Sequence, residues 1–153
     1  MEALPVNRLA QKLIEEAPVC DYLVLAMSHM NLLEIGLQTG DFTMALSHSR
    51  DLIGIAEGHP ELQARVHTFG IKYLGYTGLA EALMEYSEWD EAIKTCDLAI
   101  EAKKHDNTKN FPAFATIDKA HCLWRKGEVD QAWEVLDTYV TVRRDVPTSQ
   151  EFK

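Results

Sequence analysis

From the first residues onward, apolar positions recur three and four apart rather than two apart, which is the period of a helix face. Val6, Leu9, Leu13 and Ile14 place a leading helix over Leu4 to Glu16, and Pro18 marks its boundary. The same spacing predicts helices near 20–38, 42–57, 88–104, 112–126 and 128–144, parted by polar or proline-bearing breaks such as "EGHPE" and "KKHDNTKN". The stretch from Glu61 to Tyr86 is long for one helix, and Pro60 is placed to open it at its first turn. It carries Gly70, Gly75 and Gly78, each costing about 1 kcal/mol relative to Ala inside a helix. That segment therefore either bends at its glycines or uses them for close helix contact. No Asn-Gly or Asp-Gly hairpin turn lies between alternating runs, so the fold class is all-α. Residues 1–144 read as a single domain and 145–153, "DVPTSQEFK", as a flexible tail.

The breaks themselves repeat. "TGDFTMA" ends at Ala45, "YSEWDEA" at Ala92 and "KGEVDQA" at Ala132. Aligned on those alanines, Leu32-Leu33 matches Leu79-Ala80 and Lys119-Ala120, and Gly36 matches Leu83 and Leu123. Each copy is a helix, a tight turn and a second helix, with the alanine where the two helices approach closely. Gly40 and Gly127 are suited to end a first helix in the left-handed conformation. Asp41 and Ser87 are suited to cap the helix that follows, and Ser87 with Asp90 fits a capping box.

These units resemble the tetratricopeptide repeat family, most closely through Leu79-Ala80, Leu83, Trp89, Ala92, Cys96 and Ala99 of the middle copy. The resemblance extends over most of residues 21 to 144. It departs from the family in period, because the alanines stand 47 and 40 residues apart instead of about 34. It implies a right-handed superhelix of antiparallel helical hairpins, about three repeats preceded by an N-terminal helix, whose first helices line a concave groove. Carried over by position, that groove takes Met27, Met30, Glu34, Leu37 and Gln38 from the first copy. The second copy supplies Leu74, Thr77, Glu81, Met84 and Glu85, and the third supplies Phe114, Ile117, His121, Trp124 and Arg125. Methionine and aromatic area beside Glu34, Glu81 and Glu85 would suit an amphipathic or apolar peptide with basic residues opposite the carboxylates.

Charge narrows the partners. With 15 basic and 24 acidic side chains the net charge is -9, which repels a phosphate backbone, so nucleic acid is not an expected partner. The longest apolar run, Tyr22 to Met27, is six residues, so no membrane span is expected. Cys20, Cys96 and Cys122 are odd in number and form no CxxC pair, which points to a reducing, cytoplasmic setting with each cysteine in the core.

Catalytic and metal chemistry find little purchase in the pattern. None of the six histidines belongs to an HExxH, and the lone Asp/Glu-x-x-His is Asp118 to His121, so neither a metal nor another cofactor is expected. His121 and Cys122 are about 100° apart on a helix and do not form a nucleophile–base pair by adjacency. No GxSxG, P-loop or dinucleotide glycine motif occurs. Glu81, Glu85, His121 and Cys122 are the residues an enzyme would have to use; the expectation is a non-catalytic binding protein. An alternative from the same scaffold is a ligand-sensing or oligomerisation domain of a bacterial regulator.

The last helix adds a second surface. Val129, Trp133, Leu136, Tyr139 and Val140 spread around most of its circumference, whereas a terminal repeat needs a polar outer face. That face is expected to be covered by a second copy of the chain in a homodimer, by a further helix, or by the tail.

Overall fold

The computed structural model describes residues 6–9, 12–13, 21–60, 62, 70–104 and 113–145. Among these residues six α-helices with defined bounds follow one another: α1 (Tyr22–Thr39), α2 (Phe42–Gly58), α3 (Ile71–Glu85), α4 (Trp89–Lys104), α5 (Ala113–Arg125) and α6 (Val129–Asp145). Residues 6–9 and 12–13, within the expected leading helix, are also helical, and no strand occurs among the described residues. The tail from 146, Cys20, Pro18 and the polar stretch 105–110 lie outside the described residues.

Each hairpin is set by its turn. Gly40 and Gly127 adopt φ of 76° and 85°, the left-handed conformation that an L side chain resists. Asp41 then caps α2, its carboxylate accepting the Met44 N–H at 3.0 Å. Ser87 departs from its expected role. It sits at φ 60°, in the position of the two glycines, so it closes α3 instead of capping α4. The Ser87 N–H donates to Met84 O and the Glu88 N–H to Leu83 O, a Schellman closure matched at the third turn by Gly127 to Trp124 and Glu128 to Leu123. The expected capping box between Ser87 and Asp90 is thereby corrected. A residue spent on the left-handed closure is one position too early to cap α4.

Pro60 stands in a short 3₁₀ turn, and residues 61 and 63–69, the first part of the long segment, lie outside the described residues. α3 begins at Ile71, with Gly70 in the N-cap position. Gly75 and Gly78 are close-contact residues: a Cβ at Gly75 would meet Ile53 Cγ1 at 2.8 Å, and one at Gly78 would meet Leu33 Cδ2 at 2.6 Å. Gly36 is less forgiving, since a Cβ there would stand 2.9 Å from the backbone nitrogen of Ala45, which cannot move aside as a side chain can. The first repeat alanine, fully buried, is where α1 and α2 cross.

Packing is sequential, each helix lying against the next. In addition α1 touches α3 and α3 touches α5. The first helices of the hairpins thus form one layer, with the second helices behind them. Between the layers, Leu33, Ala45, Leu52, Ala56, Ile71 and Ala82 make a core at the α1–α2–α3 junction. Tyr73, Ala99 and Ala115 continue it between α3, α4 and α5. Burying one side chain of leucine size contributes about 1.5–3 kcal/mol. Polar groups in this interior are matched locally. The Ser49, Thr77 and Thr95 hydroxyls donate to carbonyls four residues back, and buried Lys103 places its ammonium 5.4 Å from the Tyr73 ring centre.

Candidate functional site

The layer formed by α1, α3 and α5 encloses a hollow of about 480 Å³. Its apolar walls are Met30, Leu33 and Leu37 of α1, Tyr73 and Leu74 of α3, and Phe114 of α5. Glu34, Gln38, Thr77 and Glu81 supply the polar groups. The narrow waist at Gly78 lets α3 sit against Leu33, which brings Glu34 and Glu81 to the same cavity. Of the groove residues expected from sequence, Met30, Glu34, Leu37, Gln38, Leu74, Thr77, Glu81 and Phe114 meet here.

The others go elsewhere. Met27 is exposed, Met84 is half-buried and Glu85 is exposed, and none of them lines this hollow. Arg125 lays its guanidinium 4.9 Å from the Trp89 ring centre and is engaged within the protein. His121 and Trp124 turn to a second hollow of about 320 Å³ between α5 and α6, together with Ile117, Val129, Trp133 and Leu136. A single continuous row was expected; the structure forms two separate concavities. Tyr139 is half-buried and Val140 is 41 % exposed on the same last helix.

Electrostatics single out Glu81. Burial, then the nearby carboxyl of Asp118, then that of Glu34 push its pKa up to about 7. Asp118 is itself raised to about 6 by burial, and its Oδ2 is a buried oxygen with no hydrogen-bond partner among the described residues. Two carboxyls raised by burial, Glu81 and Asp118, therefore stand near the exposed Glu34, a repulsion that a cation would relieve. Asp118 was not among the expected groove residues. Its signal was its place on the stripe of Ala115 and Cys122, where a carboxylate interrupts a buried face.

Among the described residues the cysteines, Cys96 and Cys122, do not supply a nucleophile. Cys96 and Cys122 are free and fully buried. Burial pushes the Cys122 thiol up to about 11 and the Cys96 thiol higher still. Both stay protonated near neutrality. His121 is exposed while Cys122 faces inward, as their adjacency on a helix requires.

A third constellation, which the sequence patterns did not flag, joins α1 to α2. His29 Nδ1 lies 3.0 Å from His48 Nδ1, and Asp51 Oδ2 lies 3.6 Å from the first and 3.7 Å from the second. The signal was present as His48-x-x-Asp51, the reverse order of the Asp/Glu-x-x-His pattern. Among the described residues no helix is long and apolar enough to cross a membrane. Comparison with protein-family models, with curated proteins and with solved structures finds no match to this chain.

Proposed function

We propose that this chain is a non-catalytic binding scaffold built from tetratricopeptide-like hairpins stacked into a right-handed superhelix, and that its concave hollow holds an apolar segment of a partner protein carrying a basic residue. One observation carries the reading. The hollow between α1, α3 and α5 pairs Met30, Leu37, Leu74 and Phe114 with Glu81, whose carboxyl is raised by burial and by two like charges. A lysine or arginine entering beside Glu81 offsets that repulsion, while the methionine and aromatic walls accept the apolar part of the same segment. The net charge of -9 favours a basic partner from a distance.

The test uses a fluorescein-labelled amphipathic peptide of leucine and lysine, with a leucine and glutamate peptide for comparison, read by anisotropy. The basic peptide is expected to bind and the acidic one to fail. Glu81→Gln is expected to weaken binding about tenfold, the value of one charge-assisted contact of roughly 1.4 kcal/mol, whereas Glu101→Gln on the exposed side of α4 leaves it unchanged. Because free Glu81 titrates near pH 7, it is more fully ionised at pH 8 than at pH 6. Binding should therefore strengthen between those values in the native chain and stay flat in Glu81→Gln. Equal affinity for the two peptides would end the proposal.

A second reading concerns the end of the stack. Trp133 is 66 % exposed and Trp124 59 %, on either side of the α5–α6 hollow. So much apolar area fits an oligomerisation face, as in the regulatory-domain alternative.

A further inference from the structure

We propose that His29, His48 and Asp51 form a binding site for a divalent transition-metal ion of the zinc class, independent of the concave hollow. His29 is carried on α1, while His48 and Asp51 are three residues apart on one face of α2. The α1–α2 crossing at Gly36 and Ala45 fixes the separation of the two helices. His29 is 4 % exposed, and the side chains of His48 and Asp51 are 14 % and 49 % exposed. The trio is thus rooted in the interior and open at the carboxylate.

The distances favour a central ion over a hydrogen-bonded cluster. A hydrogen bond accounts for the 3.0 Å between the two Nδ1 atoms, with one imidazole donating and the other accepting. It does not account for Asp51 Oδ2, which lies nearly equidistant from both nitrogens, at 3.6 and 3.7 Å, beyond hydrogen-bond reach of either. A triangle with these three sides has a circumradius of about 2.0 Å, so one point lies at metal–ligand distance from all three atoms. An ion slightly above that plane would sit at the 2.0–2.2 Å typical of zinc to imidazole nitrogen and carboxylate oxygen.

The donor set narrows the ion. Two imidazoles with one carboxylate suit Zn²⁺ and its first-row neighbours, whereas Mg²⁺ and Ca²⁺ prefer oxygen ligands throughout. Beside His29 and Asp51 lies a depression of about 440 Å³ bordered by Tyr22, Arg50 and His59, which admits water or a small ligand atom.

The test is a Zn²⁺ titration by calorimetry of the full chain after chelator treatment, with Co²⁺ absorption in the visible range reporting geometry. One equivalent is expected to bind with micromolar or tighter affinity. Asp51→Asn and His48→Gln should each weaken it more than about tenfold, while His121→Gln, on a distant helix, should have no effect. Thermal unfolding without metal shows whether each variant is folded; Asp51 is half exposed, so its amide variant serves if the histidine variant fails to fold. Zn²⁺ should raise the unfolding midpoint of the native chain and not that of Asp51→Asn. Absence of one-to-one binding, or equal affinity in native and Asp51→Asn protein, overturns the site.

Discussion

In α2, Met44, Ala45, Ser49, Leu52 and Ala56 are all buried. In α6, which follows an equivalent turn and aligns with α2 through Ala45 and Ala132, Ala132 is buried while Trp133 is 66 % exposed and Val140 41 % exposed. Intrinsic hydrophobicity does not make this difference, since α6 carries three valines, a leucine, a tryptophan and a tyrosine from Val129 to Val140 that could be buried. The difference lies in what comes next. α2 packs against both α1 and α3, whereas α6 packs against α5. Burial at aligned positions is decided by the neighbouring helix as much as by the residue.

The sharpest way to break this comparison is to truncate one residue in each helix. Leu52→Ala removes a fully buried side chain and should cost about 2–5 kcal/mol in equilibrium denaturation. Val140→Ala on α6 should stay within about 0.5 kcal/mol. Comparable losses at the two sites would mean that α6 is covered in solution by something that buries it as α3 buries α2.

A smaller but more informative change is Trp133→Asp. If a second copy of the chain covers the α5–α6 face, light scattering of the native protein should give about twice the 17.3 kDa of one chain at high concentration. The aspartate variant should give the single-chain mass, because a charge placed among Trp124, Val129 and Leu136 loses its hydration on association. A native chain that keeps the single-chain mass across the concentration series removes self-association as the reason for the exposed tryptophans.

The same contrast shows what could be read from the residues alone. The helical elements were legible nearly to the residue because Gly40, Asp41 and Gly127 announce their turns, and the apolar period is unbroken. Most of the hollow was legible, since Met30, Glu34, Leu74 and Glu81 among others follow from placing first helices inward, whereas Leu33, Tyr73 and Gly78 were missed. The third copy's contribution divided between two hollows, Phe114 facing α1 and α3 while Ile117, His121 and Trp124 face α6. Asp118 and the His29, His48, Asp51 cluster depend on how far apart two helices pack. That distance is set by Gly36 and Gly78, and periodicity does not report it.

The smallest effect lies in the middle hairpin, between the covered end and the open one. Ser87 occupies the left-handed position that Gly40 and Gly127 fill in the flanking turns. A non-glycine residue there costs about 1–2 kcal/mol, while glycine adds roughly 0.5–1 kcal/mol of unfolded-chain entropy. Ser87→Gly is therefore expected to stabilise the chain by about 0.5 kcal/mol, a rise of roughly 1–2 °C in the unfolding midpoint for a domain of this size. Gly127→Ser should lower it by a similar amount, since a Cβ at Gly127 meets nothing within 4 Å and the backbone conformation alone is at issue. Opposite signs from the two substitutions would show that the turns are equivalent in energy as well as in shape. Loss of stability in Ser87→Gly would mean that the serine side chain contributes more to the middle turn than its conformation costs.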